Sequence, residues 1–204
     1  MKHYRLICML CIAALSICWT ACPAQTAQAV LDKTAAVVSH KGGATASFTI
    51  GSKQYGNTSG TIAIKGRKFN ATTPQAIVWF DGKTQWTYMK QNDEVNVSNP
   101  TEAQLQALNP YNFIYLYKRG YKPTMTTSAK NFEVHLTATD KNRSVQELYI
   151  TIDKKSYTPT HIRMRQGKQW TDITVTGFKQ QNIADARFRF NAKDYPQAEV
   201  IDLR

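Results

Sequence analysis

Cysteine is confined to one end of this 204-residue sequence, where Cys8, Cys11, Cys18 and Cys22 all lie within the first 22 residues. The rest of the chain therefore contains no disulfide, and no thiol that could bind a metal or act as a nucleophile. A domain without disulfides depends on its own apolar core, and about 180 residues are enough to build one.

The cysteine-bearing end has the pattern of a secretory signal peptide. Lys2 and Arg5 give a basic start, an uncharged apolar run follows over residues 6–19, and small residues come next. We expect residues 1–24 to be removed and residues 25–204 to form one exported domain. An uncleaved membrane anchor is the alternative, but the run is short for crossing a bilayer. Lipidation at Cys22 is less expected, because Trp19 occupies a position that is normally aliphatic before a lipidated cysteine.

The sequence is basic, yet it has no run of five or more consecutive lysines and arginines. It contains 26 basic and 14 acidic residues, and loss of Lys2 and Arg5 lowers the net charge only from +12 to +10. Basic and apolar residues alternate over residues 161–165, as on the polar face of a sheet. Together with export, this pattern argues against nucleic acid as a partner, and leaves anionic membranes or acidic proteins open.

Patterns for catalysis and metal binding are also missing. His40, His135 and His161 lie far apart, and the last two alternate with apolar neighbours on the expected solvent face of strands. The sequence has no Gly-x-Ser-x-Gly motif, no His-x-x-x-His pair and no phosphate-binding loop. We therefore expect no catalytic residue, no metal site and no cofactor.

Helical periodicity is restricted to short segments. Thr26 is expected to cap a first helix that ends at Gly42 and Gly43. Two short helices are expected within residues 99–119, the first of them capped by Asn99. The chain is thus predicted to contain three helices.

Period-two alternation dominates from residue 44 onwards and predicts about ten antiparallel strands. Asp81-Gly82-Lys83 is expected to form a hairpin turn, and Phe188 and Phe190 to mark the last strand. Residues 76–80 are apolar on both faces, which is unusual for an antiparallel strand with one side in water. The prediction is one mainly β (α+β) domain, whose apolar residues either fill a core or enclose a cavity.

Five groups of residues then point to a family. They are Ala-Ser-Phe-Thr at 46–49, Gly-Thr-Ile-Ala-Ile-Lys at 60–65, Phe-Asp-Gly-Lys-Thr-Gln-Trp-Thr-Tyr at 80–88, Asn-Pro-Tyr-Asn-Phe-Ile at 109–114, and Ala-Arg-Phe-Arg-Phe with Val-Ile-Asp at 186–190 and 200–202. In this order, from about residue 26 to residue 204, they resemble the outer-membrane lipoprotein carrier family (LolA-like). The Asp-Gly-Lys-Thr hairpin is the most specific of them.

The resemblance implies an unclosed antiparallel half-barrel with the helices as a lid over an apolar cavity. It also implies that residues 25–204 form a carrier that escorts lipoproteins, by their acyl chains, from the inner to the outer membrane through the periplasm. The implied partners are acylated lipoproteins, an inner-membrane release complex and an outer-membrane acceptor, and the carrier is expected to be a monomer and no enzyme. An apolar pocket is enough to bind an acyl chain without covalent chemistry, because each methylene exposed to water costs about 0.8 kcal/mol.

The expected cavity wall consists of apolar side chains on strands and helices: Phe48, Ile62, Ile64, Phe69, Trp79, Trp86, Leu105, Leu108, Phe113 and Leu116. Uncertain strand parity leaves open whether Val78 and Phe80 take the place of Trp79. The family's lid-latching arginine corresponds to the stretch Lys65-Gly66-Arg67-Lys68, in which Arg67 is the candidate.

Two other functions stay open from the sequence. A membrane-anchored lipoprotein receptor or a lipoprotein-sensing regulator can have the same half-barrel, and lipidation at Cys22 would favour the receptor. An envelope hydrolase would need a clustered nucleophile and base, which this sequence does not display.

Overall fold

The computed structural model describes residues 25–52, 56–101, 104–105, 117–118 and 120–204. Helix α1 spans Ala27–Val38. The strands are β1 Ala44–Ser52, β2 Gly56–Lys65, β3 Lys68–Thr72, β4 Ala76–Phe80, β5 Gln85–Met89, β6 Glu94–Ser98, β7 Tyr121–Thr127, β8 Asn131–Ala138, β9 Glu147–Asp153, β10 Pro159–Gln166, β11 Gln169–Gln180 and β12 Glu199–Asp202. Short 3-10 helices span Asp185–Phe188 and Ala192–Asp194.

The strands form one unclosed sheet in the order β12-β6-β5-β4-β3-β2-β1-β11-β10-β9-β8-β7. Neighbouring strands are antiparallel, apart from β12, which runs parallel to β6. The mainly β fold with an open sheet is therefore as expected, but the predicted number of about ten strands is wrong, since the sheet has twelve. Strand β7 was not predicted, because it contains Pro123 and proline argues against a strand. Proline is tolerated in a sheet chiefly at an edge, which is where β7 lies.

The last strand is also not the predicted one. Phe188 belongs to a 3-10 helix, and the final strand β12 lies further on. Aromatic and basic residues alternate around Phe188 and Phe190 with the period of a strand. However, this segment does not pair with the sheet as a strand, and the two aromatic side chains pack against the sheet.

Helix α1 begins as the sequence predicts. The Thr26 hydroxyl accepts a hydrogen bond from the Ala29 backbone N–H at 3.1 Å, which satisfies one of the free N–H groups of the first turn. Val30, Leu31 and Val38 repeat at helical spacing and are fully buried in the main apolar core. This stripe fixes the side of α1 that packs on the sheet.

The two short helices predicted within residues 99–119 lie mostly outside the described residues. Gln104 and Leu105, which are described, are helical. Asn99 is not the helix cap. Instead, Thr101 N–H donates to Gln104 Oε1 at 2.8 Å while the Gln104 N–H donates back to the Thr101 hydroxyl at 3.4 Å, a reciprocal capping box. Asn99 Oδ1 accepts from the Thr84 hydroxyl at 3.1 Å and so ties this segment to the β4–β5 turn.

The predicted hairpin turn between β4 and β5 is confirmed. Asp81 Oδ1 accepts hydrogen bonds from the backbone N–H groups of Lys83 at 3.0 Å and Thr84 at 2.9 Å, and Gly82 supplies the positive φ of 104°. Burial opposes ionisation of Asp81, but these N–H groups and Arg189 hold its pKa below the ordinary value. The turn sets the register that pairs Phe80 with Gln85.

Residue pairing divides the sheet into two faces, since directly opposed residues of antiparallel strands point to the same side. Ile62 pairs with Ala46 on one neighbouring strand and with Ala71 on the other, and all three belong to the core that includes α1. We call the side that α1 covers the inner face and the opposite side the outer face.

The C-terminal segment covers part of the outer face. Trp79 lies there, with its ring centroid 5.6 Å from those of Phe190 and Tyr195, and Phe188 is fully buried. Residues 181–198, called the C-terminal strap below, thus pack behind β3 and β4. Strand β4 is covered on both sides, which explains why residues 76–80 are apolar on both faces.

Candidate functional site

The inner face carries a continuous apolar surface from β7 across to β4. Of the predicted wall residues, Phe48, Ile62, Ile64 and Phe69 lie on this face, and all four are buried in one cluster with α1. Register brings them together, because Ile64 pairs with Phe69 while Phe48 lies one strand away on β1.

Trp79 and Trp86 do not lie on this face, so their predicted place in the wall is wrong. They pair with each other across β4 and β5 on the outer face, where Trp79 packs against the C-terminal strap. Val78 and Phe80 occupy the inner positions, and the Phe80 ring lies 5.5 Å from that of Phe69. A one-residue change of parity reverses every side chain of a strand, and a strand apolar on both faces gives no signal to fix it.

The segment between β6 and β7 contacts the core where it is described. Leu105, one of the predicted wall residues, is buried in the same cluster as Phe48, Ile62, Ile64 and Phe69. Leu108, Phe113 and Leu116 lie outside the described residues. Tyr117, which the prediction missed, is buried in that cluster too, and its hydroxyl donates to Asp32 Oδ1 of α1 at 2.6 Å. Burial and this carboxylate raise the pKa of Tyr117 far above its ordinary value.

Arg67 lies exposed in the turn that joins β2 and β3, next to Gly66 with a φ of 58°. The turn is at the end of the sheet from which the β6–β7 segment leaves, because Phe69, Phe80, Gln85 and Ser98 pair successively there. On either side of Arg67, two lysines bind the C-terminal strap.

Helix α1 is held by polar contacts along its length. The Tyr157 hydroxyl accepts hydrogen bonds from Gln25 Nε2 at 3.1 Å and Lys33 Nζ at 3.3 Å, which together lower its pKa. Near the C-terminal end of α1, Gln180 Nε2 donates to the backbone carbonyl of Val37 at 2.9 Å. The Tyr117–Asp32 bond joins α1 to the β6–β7 segment, and the other contacts join it to the β9–β10 turn and to β11.

Polar side chains replace apolar ones at one end of the inner face, which the sequence reasoning missed. Gln85 and Thr87 of β5 and Asn96 of β6 lie on the inner side, because they continue the pairing of Phe80 and Val78. Gln85 Nε2 donates to the Thr87 hydroxyl at 3.1 Å, and Asn96 Nδ2 donates to Glu94 Oε1 at 2.6 Å. The sequence signal for this polar end is the two-residue spacing of Gln85 and Thr87, which begins opposite the aromatic Phe80.

The arrangement suits binding through apolar contact. Within the described ranges, no three His, Cys, Asp or Glu side chains come together as a metal site. None of the helices in the described part of the chain has the length and apolar character needed to cross a membrane.

A cleft of about 350 Å³ lies on the outer face between Trp79, Tyr195 and Arg187.

Comparison with known proteins decides the family. The sequence profile described as "Outer membrane lipoprotein carrier protein LolA" matches residues 17–168, well over half of the chain. The chain belongs to the LolA outer-membrane lipoprotein carrier family. The resemblance seen in its sequence segments is thereby confirmed. Among curated protein sequences, none matches this LolA-family chain significantly.

One solved structure supports the fold of this LolA-family chain. An uncharacterized conserved protein from Thermus thermophilus superposes with a TM-score of 0.59 at 14% identity, over 86% of this chain and 98% of that one. The LolA superfamily protein NE2245 from Nitrosomonas europaea gives a TM-score of 0.47 at 12% identity, over 81% and 98%. The MucA/MucB complex of Pseudomonas aeruginosa gives 0.44 at 12% identity, over 82% and 62%. At such identity, the first likeness supports the fold alone.

Proposed function

We propose that this chain is a periplasmic carrier that binds the acyl chains of lipoproteins against its inner face and moves them from the inner to the outer membrane. The observation that carries the proposal is the continuous apolar inner face beneath α1, in a chain of the lipoprotein carrier family. Phe48, Ile62, Ile64 and Phe69 form the wall, with Val78 and Phe80 at one end.

Binding alone accounts for such a function. An acyl chain of 16 carbons exposed to water costs on the order of 10 kcal/mol, at about 0.8 kcal/mol for each methylene. An apolar surface that replaces this contact with water supplies the affinity without covalent chemistry. The carrier is accordingly proposed to be no enzyme.

The wall is closed in the structure, so the cargo needs an opening. Phe69 and Ile62 are 1% and 2% exposed and belong to one apolar cluster with residues of α1. An acyl chain reaches them only when α1 or the segment containing Leu105 moves away from the sheet. Arg67 is proposed to act on this step as the latch, from its turn at the end of the sheet where that segment begins.

Two neighbouring residues of β4 provide a matched test. Val78 and Ile77 are both half-buried, but Val78 lies on the inner face and Ile77 on the outer one. We expect Val78→Gln to weaken binding of a fluorescent 16-carbon fatty acid by about tenfold, since it places an amide against the chain. Ile77→Gln should bind as the unmodified protein does. Titration monitored by fluorescence measures both, and equal losses in the two variants would contradict binding at the inner face.

The native cargo gives a second test. The protein purified from its own cell envelope should carry acylated material that solvent extraction and mass spectrometry identify. Reproducible absence of both lipid and lipoprotein would contradict the carrier function.

Export and partners complete the proposal. Residues 1–24 are proposed to be a cleaved signal peptide, so that a monomer of residues 25–204 works in the periplasm. It receives cargo from an inner-membrane release complex and passes it to an outer-membrane acceptor. The net positive charge suits acidic partner surfaces.

A membrane-anchored receptor or a lipoprotein-sensing regulator is the second candidate, and Cys22 is the observation that favours the receptor. Mass spectrometry of the mature N-terminus distinguishes the carrier from the membrane-anchored receptor. A chain that begins after residue 24 without lipid supports the carrier, whereas a diacylated Cys22 at the N-terminus supports the receptor.

A further inference from the structure

A buried oxygen at one end of the inner face has no hydrogen-bond donor. Gln85 is 8% exposed and faces the inner side, because it pairs with Phe80. Its Oε1 accepts no hydrogen bond from any of the residues that the structure describes. Buried polar atoms are normally satisfied, and one left without a partner destabilises the fold, so an exception needs a reason.

One of the two amide atoms of Gln85 is already hydrogen-bonded. Gln85 Nε2 donates to the Thr87 hydroxyl at 3.1 Å, so the amide nitrogen is used within the strand. Thr87 pairs with Asn96, which Glu94 holds at 2.6 Å. The apolar surface that ends at Phe80 therefore meets a polar row whose unused atom is a hydrogen-bond acceptor.

We propose that Gln85 Oε1 accepts a hydrogen bond from the amide N–H at the head of an amide-linked acyl chain. This inference rests on the proposed function, since the acyl chain itself would lie on the neighbouring apolar wall. An ester-linked chain has no N–H at that position and would leave Oε1 unpaired. The subsite thus makes the carrier selective for acyl amides, as found at an acylated peptide N-terminus, over acyl esters.

A pair of ligands that differ in one atom tests this selectivity. N-palmitoylglycine methyl ester contains the amide N–H, and its analogue has an oxygen in place of that N–H. The unmodified protein should bind the amide about fivefold more tightly, the effect of one buried neutral hydrogen bond. Gln85→Leu, which has no acceptor, should bind the two ligands equally. Thr87→Val should reduce the preference, because Thr87 orients the Gln85 amide.

Gln169→Leu is the matched control, because it makes the same change at an exposed position of β11. It should keep the preference of the unmodified protein. Gln85→Leu should also fold, since it replaces a side chain that carries one unpartnered buried oxygen by an apolar side chain of similar size. Thermal unfolding checks this before binding is measured.

The outcomes separate this inference from the proposed function. If the unmodified protein binds both ligands equally, or if Gln85→Leu keeps the preference, the amide subsite is wrong while acyl binding stands. If neither ligand binds, the proposed function fails. Comparing an N-palmitoylated dipeptide with N-palmitoylglucosamine then identifies the source of the amide. Tighter binding of the first supports an acylated protein, and tighter binding of the second supports an amide-linked glycolipid.

Discussion

Tyr157 shows how a single residue holds α1, the helix that covers the inner face. Its backbone φ is 56°, a left-handed conformation that is unfavourable for a bulky side chain. The turn places the Tyr157 hydroxyl between Gln25, which precedes α1, and Lys33 in the middle of α1, while its ring stacks on Phe132. The strained conformation is thus accompanied by contacts that join α1 to the β9–β10 turn.

We expect Tyr157→Phe to loosen the start of α1. The change removes the acceptor for both hydrogen bonds but keeps the ring against Phe132. Amide hydrogen exchange should become faster over residues 27–31 while the sheet amides stay protected. Tyr149→Phe is the control, because its hydroxyl donates to Glu147 on the outer face. Faster exchange of α1 in the control, or none in Tyr157→Phe, would contradict this role.

At the scale of elements, the C-terminal strap explains why β4 is apolar on both faces, which the sequence pattern alone could not explain. Strand β4 lies between the inner core and the strap, so both of its faces are apolar and their alternation is lost. The sequence predicted the strand and its hairpin turn correctly, since both depend on local residues such as Asp81 and Gly82. It could not tell Trp79 from Val78 as the inner residue, because a distant segment supplies the second apolar environment.

Asp185 joins the strap to the sheet through two lysines. Its carboxylate lies 2.9 Å from Lys65 Nζ and 2.8 Å from Lys68 Nζ, and Lys65 also donates to the backbone carbonyl of Ile183 at 2.9 Å. Hydrogen bonds from Lys68 and Lys65 lower the pKa of Asp185 from 3.8 to about 2. The attachment therefore contributes fully above pH 3.8 and is lost as the pH falls through about 2.

We expect Asp185→Asn to loosen the strap already at neutral pH. Near-ultraviolet circular dichroism, which reports the packing of Trp79 against Phe190 and Tyr195, should weaken and lose part of its change between pH 4 and pH 2. Asp202→Asn is the control, because the Asp202 pKa is also lowered to about 2 but by Arg204 in the same tail. Identical pH profiles for the two variants would argue against the Asp185 attachment.

At the scale of the whole molecule, two apolar layers share one sheet. The larger layer lies on the inner face with α1, and the smaller one lies behind β3 and β4 under the strap. Phe188 is fully buried in the outer layer although it lies outside any strand. The strap thereby takes part in the stability of the sheet and leaves the inner face to the proposed cargo.

Phe188→Ala should lower the free energy of unfolding by about 3–5 kcal/mol, the cost of a large cavity in a packed layer. Urea unfolding at neutral pH measures it. Leu203→Ala is the control, since Leu203 is 63% exposed and its loss should change stability by less than about 0.5 kcal/mol. A Phe188 variant as stable as the control would show that the outer layer is dispensable.

The sequence by itself determined the elements whose causes are local. Thr26 caps α1, a turn at Asp81 and Gly82 sets the β4–β5 hairpin, and alternation places Ile62 and Ile64 on the buried face. The tertiary structure alone decided what depends on distant segments. It placed Trp79 outward under the strap, and left the buried oxygen of Gln85 without a donor among the described residues. Local hydrogen bonds and side-chain periodicity are written in neighbouring residues, whereas the environment of each face is set by parts of the chain about 100 residues away.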